Sequence, residues 1–593
     1  MEARNRDEAR WHGTNLRRVN RTTQLTRRMR SGSTPSAFCA FSFVLFLHFL
    51  SSARASGITF QGEPITFLGE RKALGSDRVI GAGKRGGGEQ LDARRAEWRR
   101  CGSFEAHEDT VGEPGSLALL NPPLLDPARD RSFARHTLLN RLPAVASRLI
   151  GDGIDSASAE RLRHLAAEVP WQVPLLEPLP LVERSAESRL GLDPAFCARV
   201  DAEWKRWTQE RAAFKDWAMA LPLISLEIYF YRRVLDCTGY FGASDAAEAA
   251  AGGSVLVDPF EKMKVEALDA ALASEALTQT LEHHLSQVRA LPAASSLSGF
   301  WSKDVVQQGA FYSSLASSTV PDHFLRLASN LQAALKGSLW GNRGDLALAP
   351  QDKGNTQEAC RINKGPSAQG VDPDLLVDDS EKVFEHLLEA GRVSRGRGRV
   401  DVVLDNSGIE LLSDLVLADV LLTSGLVASV RLHAKGEPLF ISDAMPKDVT
   451  SHISALNASP NALNKEFASR IERLLEEGSL EVCSHQFWTA PRLFWEMPLS
   501  LARDLANASL VIVKGDANYR RLVGDRQWDV TTPLSQVVTP WFPAPLLAMR
   551  TMKAEIAVGL RSEQAEAAAA RDPDWWTSGK YGSIQFVPIH DTS

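Results

Sequence analysis

The sequence predicts an α/β protein, with a largely parallel sheet flanked by helices in a Rossmann-like three-layer arrangement and a helical N-terminal region ahead of it. Three observations predict this. From about Arg399 onward, short β-branched runs alternate with helical stretches, the pattern of successive βαβ units. The runs are apolar almost throughout, as strands covered on both faces must be. Most of them end in a polar cluster, where open α/β sheets bind ligands.

Taken in order, residues 1–55 read as a targeting leader. Nine arginines face three acids in the first 36 residues, an apolar run follows from Ala37 to Leu50, and Ala53-x-Ala55 is a small-residue cleavage pattern. This is the three-part layout of a secretory signal. The run falls short of the ~20 residues a membrane-spanning helix needs. Secretory, organellar and uncleaved-anchor readings stay open. Residues 56–128 read as a low-order linker rich in Gly, Arg and Glu. Gly81, Gly83 and Gly86 match a dinucleotide fingerprint by letter only, with no strand before them and no helix after.

Residues 129–350 read as a helical region, with SFARHTLLNRLPAVASRLI at helical spacing and the almost wholly apolar WAMALPLISLEIYFYRRVL. Glu227 lies inside the latter, which implies either a buried ion pair or an acid facing a site. Residues 351–398 read as a loop and a connecting helix. Residues 399–590 form the predicted α/β domain. VDVVLD, VASVRLHA, PLFISD and ASLVIVKGD read as strands; IELLSDLVLADVLLTSG reads as a helix stopped by Gly425.

Composition narrows the function. Over 593 residues, 67 Lys and Arg against 73 Asp and Glu leave a net charge of −6, which gives no reason to expect nucleic acid as the main partner. Six cysteines are too few for a disulfide scaffold at this length, and the lack of any C-x-x-C spacing argues against a zinc knuckle.

The chemistry gathers at the strand ends. Asp405, Asn406 and Asp443 offer oxygen donors of the kind hard divalent cations prefer. Lys514, Arg520, Arg550 and Lys553 offer the positive charge a phosphate needs. Together they are the layout for phosphoryl transfer. Plainer roles stand beside these: a turn at Asp405-Asn406, a helix cap at Asp443, a solvated Lys514, and an Arg550–Glu555 ion pair.

Several motifs carry a resemblance: VDVVLDNSGIELLSDLVLADVLL, FISD, KGDANYRRLVGDRQW, the Arg-Thr-x-Lys signature at 550–553, WWTSGKYG, SLWGNRGDL and LEIYFYRR. Over roughly residues 130–590 the chain resembles the metal-dependent damage-control phosphatases, once a domain of unknown function (number 89). It looks closest to their sugar-phosphate branch, also called the acidic residue methyltransferase family. The resemblance implies one divalent metal (manganese, cobalt or nickel, with magnesium as a further candidate) on Asp405, Asn406 and Asp443. It implies a substrate pocket lined by Asp516, Ala517, Asn518, Tyr519 and Arg520, with Lys553 on the phosphate and Asn342 and Asp345 approaching it. Glu227 and Arg550 join the candidate substrate contacts on their charge. Asp405, Asp516 and Lys553 are the candidate catalytic residues. The implied substrate is a small sugar phosphate such as fructose 1-phosphate or fructose 6-phosphate. The alternative is an S-adenosylmethionine-dependent protein-glutamate O-methyltransferase. No nucleic-acid partner is expected, membrane contact would come only through an uncleaved leader, and oligomeric state stays open. The family implies the cytosol, whereas the leader implies the secretory route or an organelle.

Overall fold

The computed structural model describes residues 122–168, 194–211, 220–240, 258–290, 322–344 and 372–588. The leader, residues 56–121, Asp345 and 345–371 lie outside the described residues. Among the described residues no helix is long and apolar enough to cross a membrane.

The core is a seven-stranded sheet in the order β1-β7-β6-β5-β2-β3-β4. Its strands are β1 (Leu375–Asp378), β2 (Arg399–Val403), β3 (Ser429–Ala434), β4 (Leu480–Ser484), β5 (Leu510–Lys514), β6 (Leu546–Thr551) and β7 (Gly582–Val587). Strands β4, β3, β2, β5 and β6 run parallel, β7 is antiparallel to β6, and β1 is parallel to β7. The middle strands are Val, Ile and Leu runs because both faces are covered. Val400, Val402, Leu510, Ile512, Leu547 and Met549 enter one apolar cluster, while Val403, Val511, Val513, Leu546 and Ala548 enter another. This alternation by twos makes the middle layer of three.

Helices α1 (Leu142–Gly151), α2 (Ser156–Glu168), α3 (Pro194–Arg211) and α4 (Leu223–Cys237) pack on one side. α5 (Glu261–Leu272) contributes to both clusters. On the other side lie α6 (Glu275–Ala290), α7 (Asp322–Gly341), α8 (Ser380–Ser394), α9 (Ile409–Thr423), α10 (Pro446–Ala458) and α11 (Ala462–Glu477). α12 (Leu499–Leu505) and α13 (Asp516–Val523) return to the first side.

Three details differ from the sequence reading. PLFISD is not a strand: Phe440 and Ile441 take φ values of 49° and 69°, so the chain turns back on itself there. β1 precedes α8 in a segment read as loop and helix, and β4 was not anticipated at all. Residues at the end of the expected linker pair with the domain, Leu124 forming a bridge with Arg526.

Helix α9 is buried along almost its whole length. Its Asp419 takes hydrogen bonds from Arg470 on α11 and meets His284 of α6 at 2.8 Å. Burial opposes that charge, but His284 and Arg470 outweigh it and hold the carboxyl well below the usual range. At the opposite end, α7 reaches α9 through Gly341, where a Cβ would lie 2.8 Å from the backbone Cα of Glu410. That approach seats the next residue, Asn342, beside the ends of β2 and β6. Gly341→Ala is therefore expected to lower stability by about 1–3 kcal/mol and to displace Asn342. Thermal unfolding together with turnover would check it, and an unchanged midpoint would refute the close-packing account.

Candidate active site

The strand order reverses at one place. From β2 the chain moves outward to β3 and β4, then returns to place β5 on the other side of β2 and continues to β6. Ligands bind beyond the carboxyl ends at such a switch point. Asp405 follows β2 and Asp516 follows β5, so both flank it. A cleft opens there. Its walls are Arg141, Asp405, Asn406, Phe440, Asp443, Asp516, Ala517, Arg520 and Lys553.

The acidic wall is fixed by the backbone. Ala444 N–H donates to Asp405 O at 2.7 Å, Ser407 N–H donates to Ser442 O at 2.7 Å, and Asn406 bridges Asp443. The left-handed turn at Phe440 and Ile441 makes this return. For a non-glycine pair it costs on the order of 1–3 kcal/mol per residue, offset by burial of both side chains. Asp405 Oδ2 accepts from Asn342 Nδ2 at 2.6 Å and from Asn406 Nδ2 at 2.9 Å. Glu410 Oε2 accepts from the same two amides, each at 2.7 Å. Ser442 Oγ donates to Asn406 Oδ1 at 2.6 Å, and Lys435 Nζ stands 3.6 Å from Asp443 Oδ2. Burial, aided by Arg521, pulls the Lys435 ammonium down against the attraction of Asp443 and Asp405.

Gly515 lets this wall close on β5. Its φ is +82°, and a Cβ there would run into the Asp405 carboxylate. Only glycine meets both demands.

The residues present fit a hard cation. Two carboxylates and an amide oxygen, all buried, converge on one wall of the cleft, and like charges held together away from water call for a cation. The amide explains why no group of three or more His, Cys, Asp or Glu placed for a metal occurs among the described residues.

The basic wall is more differentiated than its sequence. Lys553 Nζ donates to Asn342 O at 2.7 Å. Arg520 grips Asp525 through Nε and Nη2 at 2.8 and 2.7 Å, and Nη2 also lies 2.6 Å from Glu227 Oε1. Burial opposes the Arg520 charge, yet Asp525 and Glu227 hold its pKa above the usual value. Glu227 is thus the buried ion-pair partner of a cleft residue and does not itself line the cleft. Arg550 pairs with Asp516 Oδ1 at 2.6 Å, not with Glu555, and stacks on Tyr519. It orients Asp516 from behind. Asn518 donates to Leu404 O and Lys514 O, and Tyr519 reaches Gln585, so both point inward from α13. Asn342 lies one layer behind Asp405; Asp345 is outside the described residues.

Lys514 is neither solvated nor in the cleft. Its Nζ lies 2.9 Å from Glu410 Oε1 and 3.0 Å from Asp414 Oδ1, and it donates to Ser338 O and Oγ. Burial opposes its charge, but Asp414 and Glu410 keep its pKa raised. Burial pushes the Asp414 carboxyl up to about 6, against the pull of Lys514.

Sequence reasoning missed Arg141, Glu410, Lys435 and Phe440. Glu410 and Lys435 carried a signal, one an acid opening an apolar helix four residues after Asn406, the other a cation just past β3. Arg141 carried none.

These features define an α/β protein with acidic and basic side chains facing one another across a cleft at the sheet's switch point. Residues 162–568 match the damage-control phosphatase ARMT1-like domain, and the chain belongs to that family. Curated relatives include damage-control phosphatase ARMT1 of Danio rerio, 39% identical over 274 residues, which is 45% of this chain and 60% of that protein. The Homo sapiens protein of that name is 36% identical over 277 residues, 46% of this chain and 60% of that one. The Mus musculus protein is 29% identical over 479 residues, 79% of this chain and 98% of that one. The match thus spans about three fifths of the zebrafish and human relatives. A solved DUF89 family protein from Pyrococcus horikoshii is 12% identical, covers 72% of this chain and 96% of that one, and has a TM-score of 0.33, too distant to bear on the site.

Two outcomes follow from this geometry. Gly515→Ala should displace Asp405 and cut divalent-cation affinity at least about tenfold, read by calorimetry; native affinity would refute the close approach. The second concerns acid. His452 Nε2 accepts from Gly408 N–H at 2.7 Å, and burial pushes its imidazole down to about 4. With the folded value below the unfolded one near 6.5, the unfolded state binds more protons between these limits. Stability should therefore fall as pH drops through that window, by on the order of 3 kcal/mol. His452→Gln keeps an acceptor without the titration and should flatten the fall in denaturant midpoints from pH 6.5 to 4.

Proposed function

We propose that this chain is a metal-dependent phosphomonoester hydrolase acting on small sugar phosphates, with fructose 1-phosphate and fructose 6-phosphate as leading candidates. The observation that carries this reading is the cleft itself, which sets Asp405, Asn406 and Asp443 against Lys553, Arg520 and Arg141. Asp405, Asn406 and Asp443 would hold the cation, with manganese, cobalt, nickel or magnesium as candidates. Such an ion polarises phosphoryl oxygens and offsets the charge that develops as the ester breaks. Lys553 supplies a positive charge to the phosphoryl group, and Asn342 O fixes its ammonium. Phe440 and Ala517 give the sugar carbons an apolar wall.

Asp516 is the carboxylate at the cleft placed for chemistry rather than for the cation. Arg550 binds its Oδ1, which fixes the carboxylate at the start of α13. It serves either by attacking phosphorus or by taking a proton from attacking water. The stereochemical course at an isotopically chiral phosphoryl group separates these: retention marks two displacements through an aspartyl-phosphate, and inversion marks a single attack by water. The methyl-transfer alternative gains no specific support. The loop after β2, Asp405-Asn406-Ser407-Gly408, presents an acid where an S-adenosylmethionine site calls for glycines.

The test is phosphate release from a sugar-phosphate panel, with and without each cation. Asp443→Ala should abolish cation binding and lower turnover by at least about a hundredfold. Cation-dependent turnover that survives this change would overturn the ligand set, and methyl transfer without phosphate release would overturn the reading.

A further inference from the structure

Of the nine residues lining the cleft, eight come from between Asp405 and Lys553 and one, Arg141, comes from the helical region. It also lies ahead of the matched family domain, which begins at residue 162. Its placement is unusual. The chain enters α1 through a π-helical turn, Thr137–Arg141, and Arg141 is its last residue. Such turns add a residue and re-aim a side chain, and they concentrate at functional sites.

The three cleft cations differ in what already holds them. Arg520 makes a two-point pair with Asp525 and a further contact with Glu227. The Lys553 ammonium donates to Asn342 O. Arg141 stands 3.6 Å from Glu227 Oε2 through Nη1, beyond direct hydrogen-bond length. Its Nε is buried and makes no hydrogen bond to any described residue. A buried donor without an acceptor is left with its desolvation cost uncompensated. An oxygen of a bound anion would supply the missing acceptor, and a guanidinium is the group best shaped to take two phosphate oxygens at once.

We propose that Arg141 is a specificity-determining residue that grips the phosphoryl group of the substrate, so that the helical region completes the pocket instead of only supporting it. Glu227 is its positioning residue: one carboxylate spans Arg520 on α13 and Arg141 on the π turn, setting the second guanidinium by the first. The inference rests on the phosphate-ester reading of the cleft. It assigns Arg141 to affinity for the phosphoryl group and leaves cation binding to Asp405, Asn406 and Asp443.

The test uses the full chain with Arg141→Ala, Arg141→Lys and Glu227→Gln. Calorimetry reads the affinity for inorganic phosphate in the presence of manganese and, separately, for manganese alone. Kinetics reads KM and kcat on whichever sugar phosphate turns over. Arg141→Ala should weaken phosphate binding and raise KM by about tenfold or more, with manganese affinity within about twofold of native. Arg141→Lys should restore part of the loss, as a charge without the two-point grip. Glu227→Gln should weaken phosphate less than Arg141→Ala does. If Arg141→Ala and Arg141→Lys, both with native melting temperatures, bind phosphate as the native chain does, the proposal is overturned while phosphatase activity stands. If the native chain hydrolyses no ester but loses phosphate binding on Arg141→Ala, the hydrolase reading fails and the grip survives. A native chain that binds no phosphate overturns the proposal outright.

Discussion

Seven carboxylates are buried around one cleft: Glu227, Asp405, Glu410, Asp414, Asp443, Asp516 and Asp525. Leaving one of them charged and unanswered would cost several kcal/mol, more than the roughly 1.5–3 kcal/mol that a fully buried leucine returns. The need to answer these charges organises the centre of the molecule. Lys514 stands between Glu410 and Asp414, Arg520 between Glu227 and Asp525, and Arg550 behind Asp516. Two amides, Asn342 and Asn406, serve Asp405 and Glu410 together. Each answer comes from a different element, so neutralising the site also fastens the layers to one another.

The same logic joins the two halves of the sequence. Asp525 takes the two-point grip of Arg520 and also the N–H of Ile224, at the start of α4. Glu227, one turn further on, answers Arg520 from the other side. Lys264 on α5 lies between Asp258 and Asp448, the latter on α10. The helical region is therefore held to the α/β layers by ion pairs close to the cleft as well as by apolar packing.

Much of this was legible in the sequence. β2, β5 and α9 announced themselves because a strand or helix covered on all sides must be apolar over its whole length. Asp405, Asn406, Asp516 and Lys553 could be picked out because strand ends in such sheets face ligand. Asp443 was found for a partly mistaken reason. PLFIS has the composition of a strand, yet two successive left-handed residues turn it, and nothing local distinguishes the cases. β1 and β4 lie at the sheet's edges, where half-exposed positions break up the apolar run. The roles of Lys514, Arg550 and Asn518 were not legible, since a charge at a strand end looks the same whether it meets substrate or a buried acid. Arg141 depended on a π turn that has no residue signature.

The reversed edge of the sheet has a consequence for biosynthesis. Among the described strands β1 pairs only with β7, and Asp379 and Phe586, 207 residues apart, bond across that junction. β7 also lies between β1 and β6. While the ribosome is still adding the intervening helices, β1 has no strand to join, and β6 has one open side. Long-range closure of this kind is slow, and the waiting edges are exposed to pairing with other chains. The five parallel strands can assemble as the chain emerges, whereas the flank carrying β1 must wait for β7, which makes that flank the part of the nascent molecule most in need of a chaperone.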